Sequence, residues 1–86
     1  MTCAHVAALP ADVTPSTTEG CSDCLANGRH DWVHLRMCLS CGHVGCCDSS
    51  PARHATAHFN QEQHPIVQSR EPGEDWRWCY PDQAIV

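Results

Sequence analysis

The sequence predicts a small α+β fold, a short antiparallel sheet packed on one main helix. Residues 31–38, DWVHLRMC, alternate Val33, Leu35 and Met37 with Trp32, His34 and Arg36, the period-2 pattern of a half-buried strand. From Ser50, SPARHATAHFNQE offers a capping serine, a proline suited to the first helical position, and residues that can fill the turns after it. Strand patterns around one helix give an α+β architecture. The third observation is chemical: 86 residues include eight cysteines and seven histidines.

Taken in order, residues 6–20, VAALPADVTPSTTEG, contain two prolines and a Ser/Thr run. They read as an ordered but irregular connection from Cys3 and His5 to the pair Cys21 and Cys24. The first strand follows over 31–38. GHVGC is a turn and short strand leading away from a second cysteine pair, Cys38 and Cys41. The helix is expected over 51–62. HPIVQS is a further strand with Pro65 at its start, REPGEDW a turn-rich loop, and WRWCY a last strand. With no internal repeat and no low-complexity tail, residues 1–86 read as one domain.

Such a domain is short of core. Hydrophobic residues make up 42% of the chain, but almost half of them are Ala or Cys. Ordering a chain costs roughly 1.5 kcal/mol per residue, and domains of this size usually add disulfides or a structural metal. An even number of cysteines suits a secreted disulfide framework. Yet MTCAHVAALPADV has no basic start and no long apolar run, so neither a secretory signal nor a membrane span is expected. CSDC and CLSC are both C-x-x-C, which lets two sulfurs reach one tetrahedral ion, and histidines recur where zinc sites need them. Disulfide knots do not need histidine. Zn(2+) is therefore the expected cofactor, three ions or two, and a reducing cytoplasmic compartment follows from it.

Charge excludes one class of partner. The net charge is −5, there is no lysine, and five arginines are scattered singly. Binding to nucleic acid draws its affinity from a basic face, which this chain lacks.

Seven cysteines (Cys3, Cys21, Cys24, Cys38, Cys41, Cys46, Cys79), four histidines (His5, His54, His58, His64) and Asp82 are enough donors for three four-coordinate sites. His30, His34 and His43 lie in a loop, on a strand's polar face and in a turn, and read as surface histidines. His54 and His58, four apart on the expected helix, face one way, as in the H-E-x-x-H motif of zinc proteases. Here the segment is HATAH, and the glutamate that would act as general base is missing. A hydrolytic zinc also keeps an open position, whereas this chain can close every site.

The order C-x-H, C-x-x-C, Trp, C-x-x-C-x4-C, H-x3-H-x5-H and W-C-Y resembles the UBP-type zinc finger. That is the ubiquitin-binding module of ubiquitin-specific proteases and of one class of histone deacetylase. The resemblance runs from Cys3 to Asp82 and implies interleaved metal sites. The first would take Cys3, His5 and Cys79, the second Cys21, Cys24, Cys46 and His54, the third Cys38, Cys41, His58 and His64. It also implies a slot for an extended C-terminal Gly-Gly, with Trp78 and Tyr80 matching its aromatics and Trp32 a nearby aromatic position. The alternative for all three is a place in the core.

Two departures from the family stand out. CYPD puts Asp82 where a cysteine would complete the first site; carboxylate oxygen is an acceptable zinc ligand. CCDSSPARH puts Cys47 and Asp48 where family members commonly have Gly and the Arg that holds the tail's carboxylate. Cys46 aligns with the family's ligand, and Cys47 is the alternative. Arg53 and Arg77 are the candidates to replace the missing cation. The expectation is a non-enzymatic, monomeric module binding a protein or peptide tail, with ubiquitin itself doubtful. The Lys-free composition points to a stand-alone bacterial member. A zinc-handling or thiol-redox protein is the alternative, and an enzyme with one incompletely liganded zinc comes third.

Overall fold

The computed structural model describes residues 4–7 and 9–86. Five strands, β1 (Leu35–Cys38), β2 (Val44–Cys46), β3 (Ile66–Ser69), β4 (Arg77–Cys79) and β5 (Ala84–Ile85), form one antiparallel sheet in the order β2-β1-β3-β4-β5. The helices are α1 (Ala4–Ala7), α2 (Ser22–Ala26) and α3 (His54–Glu62). The α+β expectation holds, with a fifth strand and two short helices added.

Register decides what faces what. Arg36 sits opposite Ser69, Cys38 opposite Val67, Val67 opposite Trp78, and Trp78 opposite Ile85. Successive side chains alternate across a sheet, so these residues share one face, while Met37, Gln68 and Arg77 share the other. Helix α3 packs on the first face, where Gly45 allows close approach. A Cβ there would lie 2.7 Å from the Ala55 backbone nitrogen. Val6 and residues 9–13 border the second face beside Met37, Gln68 and Arg77.

The helix starts three residues later than the sequence suggests. Ser50 does not cap it: the Ser50 hydroxyl accepts the Val33 N–H at 2.7 Å and is 3% exposed. Arg53 adopts the left-handed conformation (φ 47, ψ 49) immediately before His54, so Pro51 lies outside the helix. Gln63 ends it, again left-handed at φ 59, with its N–H donating to the Phe59 carbonyl at 2.7 Å. That turn brings His64 back beside His58, their Nδ1 and Nε2 atoms 3.3 Å apart.

The first strand is shorter than its alternation, because Val33 spends its N–H on Ser50 and is 50% exposed. Helix α2 was not expected; Cys21 caps it, its Sγ accepting the Cys24 N–H at 3.4 Å. The largest fully buried side chains are Ile66 and Val44, followed by Cys21, Cys24, Cys38, Cys46 and Cys79. Sulfur occupies the space that apolar side chains fill in a larger domain. Among the described residues no helix is long and apolar enough to cross a membrane.

Candidate metal clusters and a binding cleft

The first cluster gathers Cys21, Cys24, Cys46 and His54, with donor atoms all within 4.8 Å of one another. The Nδ1 of His54 lies 3.3 Å from Cys21 Sγ, 3.3 Å from Cys24 Sγ and 3.5 Å from Cys46 Sγ. One ring N–H cannot serve three sulfurs. The four atoms instead surround a common point, and a tetrahedral ion with Zn–N near 2.0 Å and Zn–S near 2.3 Å gives N···S edges of about 3.5 Å and S···S edges of about 3.8 Å. The second cluster has the same dimensions. Cys38 Sγ is 3.4 Å from His64 Nδ1, and Cys41 Sγ is 3.3 Å from His58 Nε2. Helix α3 therefore hands His54 to one cluster and His58, a turn later, to the other.

The third cluster joins the two ends of the chain. His5 Nδ1 lies 3.3 Å from Cys79 Sγ and 3.6 Å from Asp82 Oδ2. Cys3, the remaining ligand expected for this site, lies outside the described residues.

Electrostatics favours a cation in these clusters. Burial, then the neighbouring Cys21 and Cys46 sulfurs, push the Cys24 thiol up to about 12. Burial also raises Cys38 and Cys46 above the ordinary thiol range. Several buried thiolates need a compensating positive charge, which a divalent ion supplies. His58 is pushed down by burial, then by His43 and His64, which suits a neutral imidazole donor.

His43 departs from the surface role expected of it. Its ring stacks on His58 with centroids 4.2 Å apart and planes 9° apart, and its Nε2 lies 2.8 Å from Asp23 Oδ2. It thus fixes the plane of a cluster histidine. His30 and His34 stay outside the clusters, beside Trp32 and Glu71. Cys46 is the sulfur that joins a cluster, whereas Cys47 is 6% exposed with its Sγ 3.7 Å from the Ser50 hydroxyl. Burial raises the Cys47 thiol, but Ser50, the Ser49 and His34 backbone and Arg36 outweigh it and bring it to about 7.

A cleft of about 250 Å³ opens on the helix-bearing face of the sheet, lined by Trp76, Trp78, Tyr80 and Val67 together with Arg36 and Asp48. Phe59 of α3 stacks on Tyr80, centroids 4.6 Å apart, and holds that wall upright. Burial raises the Tyr80 hydroxyl above its ordinary range, a hydrogen bond with Thr56 only partly opposing it.

A family profile described as "Zn-finger in ubiquitin-hydrolases and other protein" matches residues 21–86. The chain belongs to the zf-UBP family. Its fold is similar to the solution NMR structure of protein RPA1320 from Rhodopseudomonas palustris, with 53% identity and a TM-score of 0.88 over 99% of this chain and 80% of that one. A comparison with curated proteins finds no match.

The cofactor of this zf-UBP chain is Zn(2+), two or three ions, and the clusters fit it: three sulfurs with one nitrogen, then two of each. Of the aromatics singled out in the sequence, Trp78 and Tyr80 reach the cleft. Trp32 does not line it; Trp32 packs on Cys21, Cys24 and Cys46 and against Gly20. Neither candidate arginine lies there. Arg77 precedes Trp78 in β4, so alternation turns it to the opposite face beside Met37, and Arg53 lies at the start of α3. The cation in the cleft is Arg36, whose guanidinium stands 4.4 Å over the Trp76 ring. The strand alternation grouped Arg36 with residues facing away from Met37, but only the pairing of β3 with β4 places Trp78 on that same side.

Proposed function

We propose that this zf-UBP chain is a zinc-stabilised, non-enzymatic module that holds the end of a protein or peptide chain in the cleft between Trp78, Tyr80 and Arg36. One observation carries the reading: an aromatic-walled cleft with a cation at its edge, built on a frame that the clusters pin. Glycine-like backbone suits such a slot, since nothing projects from its Cα. In this proposal Cys21, Cys24, Cys46 and His54 hold one ion, and Cys38, Cys41, His58 and His64 a second. Cys3, His5, Cys79 and Asp82 hold a third. The role is that of a single cytoplasmic domain, monomeric and without nucleic-acid partners, in keeping with its charge of −5. Four protein donors around an ion leave no open position for hydrolysis, and HATAH supplies no general base.

Ubiquitin is not the ligand proposed, because Asp48, an anion, lines the cleft and stands near where the resemblance expects the Arg that holds the tail's carboxylate. The thiol-redox alternative requires an accessible, acidic thiol, and Cys47, the thiol brought down to about 7, is buried. The test is a ¹⁵N NMR titration of the zinc-loaded protein with tetraglycine free acid, then with ubiquitin. Shifts concentrated at Trp78, Tyr80 and Arg36 are expected, with ubiquitin binding no more tightly than the peptide. Absence of cleft shifts at millimolar peptide overturns the reading.

A further inference from the structure

Among the described residues Arg36 has no carboxylate in direct ion-pair contact, although its charge helps to lower the Glu74 carboxyl and the Cys47 thiol. Its one hydrogen bond among them is from NH1 to the Leu35 carbonyl at 3.0 Å. Glu74, two residues before Trp76, accepts the Ser69 hydroxyl at 2.6 Å. Four guanidinium N–H groups are left for a ligand, in a planar fork that matches a carboxylate. The stack on Trp76 holds that plane in place.

A second hollow, about 330 Å³, adjoins the cleft and shares Asp48, Trp78 and Tyr80 with it. Its remaining walls come from Thr56, Phe59, Asn60 and Gln83, so Asp48 is the one charge on its lining. Asp48 is exposed and accepts the Thr56 hydroxyl on Oδ1, and no hydrogen bond among the described residues takes its Oδ2. Taken together as one trough, the two hollows have a cation lining the first and an anion common to both.

We propose that this trough selects a chain end with a free α-carboxylate, held by Arg36, and a basic side chain within two residues of it, held by Asp48. The proposal rests on the tail-binding reading and names the class of tail. A carboxylate entering the first lobe meets the free fork of Arg36, and the chain leaving past Trp78 and Tyr80 crosses Asp48 before it reaches the second lobe. An acidic residue at that crossing is repelled. A neutral one gains nothing from Asp48.

The test uses zinc-loaded protein and four acetylated peptides followed by calorimetry: Gly-Lys-Lys-Gly as free acid, the same peptide as C-terminal amide, Gly-Glu-Glu-Gly free acid, and Gly-Gln-Gln-Gly free acid. Amide capping should weaken Gly-Lys-Lys-Gly about tenfold, since a half-buried charged hydrogen bond is lost. Arg36→Gln should give a similar loss and remove the sensitivity to capping. Replacing Lys by Glu should weaken binding about fivefold, as an exposed pair turns from attraction to repulsion. Asp48→Asn, which keeps an acceptor for Thr56, should abolish that difference. A Lys-over-Glu preference that survives Asp48→Asn reflects only the negative charge of the whole protein and overturns the proposal. So does equal binding of acid and amide. If tetraglycine perturbs the cleft but acetyl-Gly-Lys-Lys-Gly binds no better than the Gln peptide, the selectivity fails while the tail-binding reading stands. If no peptide binds, both fall. The capping comparison leaves the protein unaltered, so it decides even if Arg36→Gln folds poorly.

Discussion

Gly45→Ala tests whether the sheet and α3 are held at a distance set by metal. The added Cβ would lie 2.7 Å from the Ala55 nitrogen and 3.0 Å from both Ala55 Cα and His54 carbonyl carbon. All three are backbone atoms, so no flexible side chain can yield. Reaching an ordinary 3.4 Å contact moves the start of α3 by about 0.7 Å. A zinc site tolerates ligand distances within about 0.2 Å. His54 begins that helix, and its Nδ1 must stay with three sulfurs anchored elsewhere. Overpacking costs about 1–3 kcal/mol, and if the strain is released by letting the ion go, zinc at this cluster weakens roughly 5- to 150-fold. Competition between the protein and a chromophoric chelator measures this, with Co(II) absorption identifying the cluster that has three sulfurs. If Gly45→Ala holds zinc as tightly as the parent and leaves the cobalt spectrum unchanged, the close approach does not set the cluster's geometry.

Other outcomes follow from the same structure. Elemental analysis should give three zinc ions per chain, falling towards two in Asp82→Ala; one ion in a folded preparation refutes the interleaved assignment. Full chelation, or acid that protonates the ligands, should unfold the chain in circular dichroism, because buried thiols replace a conventional core. Native spectra after verified metal removal would show that Ile66 and Val44 with their neighbours suffice. Tyr80 is the sole tyrosine, so absorbance near 295 nm reports it alone. Its raised value means that the folded state keeps the proton longer: stability from this group is complete below about pH 10 and declines as pH rises through the folded value. A folded-state midpoint at or below that of the chelated, unfolded chain contradicts the burial of this hydroxyl.

The clusters were legible because metal chemistry leaves residue type and spacing in the sequence. C-x-x-C and H-x3-H are local signals, and Asp82 lies with His5 and Cys79 at the position where the resemblance leads one to expect a cysteine. What could not be read depended on contacts between distant segments. Ser50 looks like a helix cap until Val33, 17 residues earlier, takes its hydroxyl. Arg77 and Trp78 are neighbours in sequence and lie on opposite faces of the sheet, so proximity to Trp78 was misleading for one arginine. Arg36 is 42 positions away from Trp78, and only the register of β1, β3 and β4 unites them. Helix α2 escaped notice because its cap is a sulfur rather than an oxygen.

The cluster of His5, Cys79 and Asp82 has a mechanical consequence. It bridges positions 74 residues apart, close to both ends of the sequence. An ion there would carry a pulling force applied to the two ends before the sheet between them felt it. Once the two-residue strand β5 had peeled away, tension would pass from His5 through the ion to Asp82 and Cys79, leaving the other two clusters unloaded. The module would then act as a clasp whose rupture strength is set by coordination bonds, and removing that one ion would shift the load onto the strands.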